Sequence, residues 1–205
     1  CDAAPMCIFG RCSTNPSLMA KEGITAQQNI IDHYLKICNV VNGPVSAEVI
    51  STDFKGMIEE GKKLAALHPN IVVKVPMIRE GVKAIKWFTD NGIKTNCTLV
   101  FSAAQAILAA KAGASMVSPF IGRIDDSNWD GVQLIEQIVH IYGTYGYRTE
   151  VLAASIRSSL HIVKCAEAGA DIATCPLSSI TGLFNHPLTD IGLEKFLADY
   201  KKGNG

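Results

Sequence analysis

Neither sign of charge prevails in this sequence: 19 lysines and arginines stand against 19 aspartates and glutamates, a formal net charge of zero. Such a balance offers no basic footprint for nucleic acid or for an anionic membrane surface, so neither is expected as a partner. Aromatic residues are scarce at 7%. No apolar run approaches the roughly 20 residues a bilayer demands, and no secretory leader is evident. The seven cysteines are an odd number without a C-x-x-C pair. Cys38, Cys97 and Cys165 sit inside apolar segments, as reduced thiols of a cytoplasmic protein do, so a cytoplasmic location is expected. Cys7 and Cys12 lack a matching His/Cys pair, and no structural zinc is expected. No G-x-G-x-x-G follows any candidate strand, which weighs against a dinucleotide-binding sheet.

What the sequence does contain is a regular alternation of short apolar runs and amphipathic stretches. Its centre is Ile71-Val72-Val73-Lys74-Val75-Pro76, which reads as a strand covered on both faces, as in parallel sheets and barrels. Upstream, the spacing predicts a helix over 27–41 with Ile30, Ile31, Tyr34, Leu35 and Cys38 on one face. Gly43-Pro44 ends it before a strand at Val45-Ser46-Ala47-Glu48-Val49-Ile50. Thr52 is placed as the cap of a helix whose Phe54, Met57, Ile58, Gly61, Leu64 and Ala65 share a face, stopped at His68-Pro69-Asn70. Beyond the lysine strand, a helix is predicted to about Thr89, then a strand over 94–100. The capping pattern Ser102-Ala103-Ala104-Gln105 opens the next helix. A strand reaching Pro119, a polar loop from Arg123 to Asp130, a helix from Val132 to about Tyr145, and strands over 151–156 and 172–176 follow. Ala112-Gly113-Ala114-Ser115 and Ala168-Gly169-Ala170-Asp171 each close a helix on glycine and open a strand, a repeat of βα units. No amphipathic helix fits ahead of Ser13-Thr14-Asn15-Pro16-Ser17.

Strands are legible at about Cys12, Val45, Ile71, Lys94, Met116, Val151 and Ile172, each followed by a helix, and strict alternation means a parallel sheet. Polar residues recur near the strand ends, as in a TIM barrel with its site at the C-terminal mouth. The expected fold is therefore α/β: a single (β/α)8 barrel domain over 1–205, its first βα unit truncated or atypical and reduced to the segment around Asp2. The eighth helix is assigned to 178–184. A further helix from about Thr189, with Leu193, Phe196, Leu197 and Tyr200 in one stripe, is surplus to the barrel.

Side chains alternate along a strand. Val72 therefore shares a face with Lys74, Ser46 with Glu48, Asn96 with Thr98, Ser118 with Met116 and Phe120, and Ser155 with Ala153 and Arg157. Pointed inward, these supply one amine, one carboxylate, the amides of Asn15 and Asn96, and several hydroxyls. A lysine on such a strand either snorkels to water or is a desolvated amine able to attack a carbonyl and form a Schiff base. The polar set around it favours the second reading. Lys74 is then the nucleophile toward a ketose carbonyl, and Glu48 and Thr98 hold a water that moves protons. Asn15 and Asn96 suit sugar hydroxyls. Arg123, Ser155 and Arg157 form a phosphate site near the last strands; the competing reading pairs the arginines on a solvated loop, for instance Arg123 with Asp125 or Asp126.

Ser13-Thr14-Asn15-Pro16-Ser17, Ala47-Glu48-Val49, Val72-Val73-Lys74-Val75-Pro76, Asn96-Cys97-Thr98-Leu99-Val100-Phe101-Ser102, Ser118-Pro119-Phe120-Ile121-Gly122-Arg123-Ile124 and Ala154-Ser155-Ile156-Arg157 together resemble the transaldolase family. The small bacterial-type subfamily that includes fructose-6-phosphate aldolase is the most similar. The resemblance implies a barrel, a Schiff-base lysine at Lys74, Ser118 and Phe120 among the substrate-binding residues, and no metal or organic cofactor. It also implies transfer of a dihydroxyacetone unit between phosphorylated sugars in the pentose phosphate pathway: sedoheptulose 7-phosphate and glyceraldehyde 3-phosphate give erythrose 4-phosphate and fructose 6-phosphate. Glu48 and Phe120 stand where the aldolase branch typically carries Gln and Tyr, and so point to transaldolase. The family's first strand carries an acid–base aspartate. Here Asp2, in Cys1-Asp2-Ala3-Ala4, is a faint echo, too close to Asn15 to leave room for the helix that should follow. The small transaldolases form pentameric rings paired into decamers, with the terminal helix packing on a neighbour, so a homo-oligomer joined by 189–205 is expected. The alternatives are a fructose-6-phosphate aldolase and, should the aspartate be absent, a non-catalytic barrel subunit.

Overall fold

All of the apolar runs become strands in the computed structural model, which describes residues 10–203. They are β1 (Cys12–Ser13), β2 (Val45–Glu48), β3 (Ile71–Pro76), β4 (Thr95–Val100), β5 (Met116–Pro119), β6 (Glu150–Ala153) and β7 (Ile172–Ala173). The seven strands pair in chain order, each with the next, and every pair is parallel. That order is what successive right-handed βα crossovers produce. The helices are α1 (Pro16–Lys21), α2 (Gln27–Val40), α3 (Phe54–Ala65), α4 (Arg79–Asp90), α5 (Ala103–Lys111), α6 (Ile121–Asp125), α7 (Gly131–Tyr145), α8 (Ser159–Glu167), α9 (Leu177–Thr181) and α10 (Pro187–Gly203), with a 3-10 turn at Gly182–Phe184 after α9. No described helix is long and apolar enough to cross a membrane.

The sheet is curled. Asn96 on β4 donates to the Ser46 hydroxyl on β2 at 3.1 Å. Arg11, just ahead of β1, makes a two-pronged contact with Glu150 of β6 at 2.6 and 2.7 Å. In a flat sheet with strands ~4.8 Å apart, the first and sixth would stand roughly 24 Å from each other. The fold is thus a TIM-like α/β half-barrel of seven strands among the described residues. The eighth strand expected around Asp2 lies outside them.

Alternation along the strands sorts the core into two layers. Val73, Val75, Cys97, Val117, Val151 and Ala153 face outward against Ile85, Phe88, Ile135 and Ile138 of the helices. Val72, Met116, Phe120, Leu152 and Ala154 cluster within the curl. Gly61 lets α3 lie close against α4, because a Cβ there would fall 2.3 Å from Phe88 Cζ.

Several local expectations change. A short helix that the sequence does not announce, α1, opens on Pro16, because proline is favoured at the first helical position, where its missing N–H costs nothing; Asn15 caps it. Asp53 rather than Thr52 caps α3, accepting from Gly56 N at 2.9 Å. The polar loop from Arg123 begins inside α6. Strand β6 stops at Ala153, β7 stops at Ala173, and Ser155 adopts φ 61°. The left-handed residue breaks the alternation, so Ser155 does not share an inward face with Ala153, which packs in the outer layer. The glycine repeat stands: Gly113 and Gly169 take φ 89° and 84° directly after α5 and α8.

Candidate active site

Lys74 does not snorkel. It is 3% exposed, on a strand whose other residues from Ile71 to Val75 are all buried and apolar. The parallel register of β2 on β3 sets Glu48 directly beside it. Nζ lies 2.9 Å from Glu48 Oε2 and donates to the Thr14 main-chain oxygen at 3.2 Å. The amine is held from two sides, by a carboxylate on β2 and by the carbonyl that follows β1. Removing one member of a buried pair of this kind costs about 3–5 kcal/mol, because the other is left uncompensated.

A chain of hydrogen bonds backs the pair. Thr14 donates to the Ser46 carbonyl through both its N–H, at 3.2 Å, and its hydroxyl, at 2.9 Å. Asn96, level with Lys74 on β4, donates from Nδ2 to Ser46 Oγ at 3.1 Å and accepts at Oδ1 from Ser118 Oγ at 2.7 Å. Both ends of the amide are thereby oriented, leaving one N–H and one lone pair for a ligand. Thr98 stands two residues further along β4, at the level of Pro76. It is fully buried, and its hydroxyl makes no hydrogen bond among the described residues. A buried hydroxyl left unmatched costs about 1–3 kcal/mol, so Thr98 is an acceptor and donor held in reserve beside the amine's strand. Directly after it, Leu99 takes φ 59°, and the β4–β5 register shifts.

The loops beyond β5 and β6 meet over glycine. A Cβ at Gly122 would fall 2.1 Å from the Ser155 carbonyl oxygen and 2.7 Å from Arg157 Nε, so only glycine admits this approach of α6 to the loop after β6. Phe120, buried, presents its ring to the Arg123 guanidinium, 4.9 Å from the ring centroid. Arg157 pairs with Asp126 at 2.7 Å. The solvated-pair reading thus describes Arg157 and Asp126, whereas Arg123 stands over an aromatic ring. Asp125 is engaged elsewhere, accepting from Gly131 N at 2.9 Å and lying 3.2 Å from His161 Nε2.

Of the expected site residues, the fold brings Lys74, Glu48, Asn96 and Ser118 into one connected set and buries Thr98 nearby; Phe120, Arg123, Ser155 and Arg157 group at the ends of β5 and β6. Asn15 is partly committed, since its Oδ1 caps α1 by accepting from Leu18 N at 2.8 Å. Asp2 lies outside the described residues. Nothing in the pattern singles out Thr14 or Tyr34. Tyr34 reads as a core position of α2, yet burial pushes its phenol up, and its hydroxyl end faces the Thr14 hydroxyl and the Glu48 backbone. A buried tyrosine generally needs a polar contact at its tip, and that is the signal that could have found it. Nor does the pattern single out Glu60. Burial opposes its ionisation, but the Ser51 hydroxyl and the Ile50 and Ser51 amides outweigh that and hold its carboxyl below the ordinary range. It thereby pins the loop that leaves β2 just after Glu48. A cleft of about 710 Å³ between β1 and β7 includes Ser46 but not Lys74, Glu48 or Thr98. No group of three or more His, Cys, Asp or Glu among the described residues could hold a metal.

Residues 3–203 match the family described as Transaldolase/Fructose-6-phosphate aldolase. A curated protein of Phocaeicola vulgatus named Probable transaldolase is 69% identical over 193 residues, covering 94% of this chain and 88% of its own. Namesakes from Cytophaga hutchinsonii, 64% identical over 204 residues (100% and 94% covered), and from Porphyromonas gingivalis, 62% over 203 (99% and 92%), are similar throughout. Among solved structures, inosine 5′-monophosphate dehydrogenase from Legionella pneumophila superposes with a TM-score of 0.51 at 15% identity, over 83% of this chain and 58% of that one. That likeness concerns the fold alone.

Proposed function

The chain belongs to the transaldolase/fructose-6-phosphate aldolase family, and from that premise we propose that it transfers a dihydroxyacetone unit between sugar phosphates through a Schiff base on Lys74. The observation that carries this reading is the burial of Lys74 against Glu48 Oε2 at 2.9 Å on an otherwise apolar strand. Glu48 takes a proton from the ammonium, and the freed nitrogen attacks the ketose carbonyl carbon. The carbonyl oxygen gains a proton as the carbinolamine forms, then a second as it leaves as water, giving the imine. Glu48 and Thr98 move these protons. The imine accepts the electron pair when the proton leaves the C4 hydroxyl and the C3–C4 bond breaks. An aldehyde departs, and an enamine remains on the lysine. An acceptor aldehyde reverses the sequence, and water releases the product ketose. Asp2 is the proposed base for the C4 hydroxyl. The free capacity of Asn96, together with Asn15 and Ser118, suits sugar hydroxyls. Since the imine is the electron sink, the cycle calls for no metal or organic cofactor.

The direct test is a coupled assay with sedoheptulose 7-phosphate and glyceraldehyde 3-phosphate. Formation of erythrose 4-phosphate is expected. No turnover from a protein that still forms the lysine adduct would leave a non-catalytic barrel subunit instead.

Phe120 supports transfer over free aldol cleavage, because its ring brings no hydroxyl to help protonate and release the enamine. Phe120→Tyr is expected to raise release of free dihydroxyacetone relative to transfer, measured as the ratio of the two rates on fructose 6-phosphate. An unmoved ratio would remove position 120 from this role.

Arg123, Ser155 and Arg157 are assigned to the substrate phosphate. Loss of one charge-assisted contact costs about 1.5–3 kcal/mol. Arg123→Ala is therefore expected to erode most of the preference for glyceraldehyde 3-phosphate over glyceraldehyde, read as the ratio of kcat/KM values. A preserved preference would return Arg123 to a packing role over Phe120.

A cytoplasmic, reducing setting suits thiols of this kind: all five described cysteines are free, and burial pushes Cys97 up to about 12 and Cys165 up to about 11. Helix α10 is assigned to the contact between copies in a pentamer or decamer, since it contains no buried residue of its own.

A further inference from the structure

We infer that Asp126 is a specificity-determining residue of the anion site: it latches Arg157 in the unliganded protein and must yield the guanidinium to the substrate phosphate. This rests on the phosphate reading of Arg123 and Arg157 given above. Arg157 Nη2 meets Asp126 Oδ2 at 2.7 Å, and both side chains are about half exposed, at 52% and 59%. An ion pair open to water on both sides is held weakly, so a phosphate dianion, with twice the charge and more acceptor oxygens, can displace a single carboxylate.

Two effects of Asp126 oppose each other. A carboxylate can orient a guanidinium and so assist an incoming anion, or it can occupy the guanidinium and repel that anion. The packing of Arg157 decides between them. Its Nε and Cγ lie 2.7 and 2.8 Å from where a Cβ on Gly122 would stand, so the stem is laid across the backbone of α6 whether or not Asp126 is charged. Arg157 N also contacts His161 Nδ1 at 3.3 Å, fixing its main chain. Orientation is supplied by packing, and repulsion is what the carboxylate adds. Asp125 contrasts with its neighbour: the Gly131 amide and His161 claim its two oxygens, and it belongs to the scaffold.

The probe is inorganic phosphate, read by the rise in Tm of the full chain with phosphate concentration. Asp126→Asn keeps the side-chain shape and removes the charge. It is expected to lower the half-saturating phosphate concentration about two- to fivefold, the scale of one exposed charge pair, with the gain shrinking as sodium chloride is raised. Arg157→Ala should weaken the phosphate response, and in the Arg157→Ala background Asp126→Asn should bring no gain. An unchanged or raised half-saturating concentration in Asp126→Asn, while Arg123→Ala and Arg157→Ala still weaken binding, overturns the latch and leaves the phosphate site standing. A phosphate response that survives both arginine substitutions overturns the site and the latch together. Should Asp126→Asn lower the baseline Tm by more than a few degrees, Asp126→Ser is measured under the same criterion.

Discussion

Fructose 6-phosphate with borohydride is expected to fix a covalent adduct on Lys74 and on no other lysine, and Lys74→Met is expected to lose both the adduct and turnover. The loss in kcat should be roughly 10³-fold or more, the scale seen when a covalent nucleophile is removed. Methionine matches the stem of lysine and keeps the strand apolar, but it leaves Glu48 without its ion contact and the Thr14 carbonyl without its donor. An uncompensated buried carboxylate is destabilising by about 3–5 kcal/mol, so circular dichroism and Tm accompany the assay. The double change Lys74→Met with Glu48→Gln removes that charge and should recover much of the stability with none of the activity. Peptide mapping of the wild-type adduct is independent of any variant: label on another lysine, or turnover in folded Lys74→Met, would sink the Schiff-base assignment.

Removing α10 is expected to shrink the particle. Leu188, Ile191, Leu193, Phe196 and Leu197 are 53–73% exposed on one seventeen-residue helix. An apolar stripe exposed to this degree is the kind of surface that marks a contact between chains. In light scattering the full chain should run as a multiple of its 22.0 kDa mass, and a chain ending at His186 should fall to a smaller species. Since α10 contains no buried residue, the truncated barrel should retain its near-ultraviolet circular dichroism and melt cooperatively. A truncated protein that keeps the full-length assembly size assigns the stripe to its own subunit.

The strands are legible because short apolar runs alternate with amphipathic stretches, and Lys74 is legible because β3 is otherwise a β-branched run closed by proline, where a charge stands out. Inward faces followed from simple alternation through β2, β3 and β5, where the strands are regular. Alternation does not extend to Ser155, a left-handed residue past the end of β6, and the β4–β5 register shifts after Cys97, where the left-handed Leu99 interrupts β4. Neither Leu99 nor Ser155 is a type that announces φ > 0. Thr14 and Tyr34 escaped for a different reason. Their contributions depend on a main-chain carbonyl and on a helix packed over β1 and β2, and contacts between distant segments leave no local pattern. The Arg157–Asp126 pair was foreseen as a kind of contact but with the other arginine, since sequence distance favours Arg123 and the fold instead lays Arg157 across Gly122.

The chain-order pairing of the strands has a kinetic consequence. Glu48 and Lys74 belong to one βαβ unit, β2–α3–β3, so the amine and its carboxylate meet as soon as that crossover closes. The contacts that curl the sheet are far apart in sequence, with 50 residues between Ser46 and Asn96 and 139 between Arg11 and Glu150. Loop-closure entropy grows with such separations, and these contacts form late. Folding therefore brings Lys74 and Glu48 together first and the contacts that curl the sheet around them last; on the proposed chemistry, a nascent or partly opened chain holds its amine and carboxylate before it has any means of choosing a substrate.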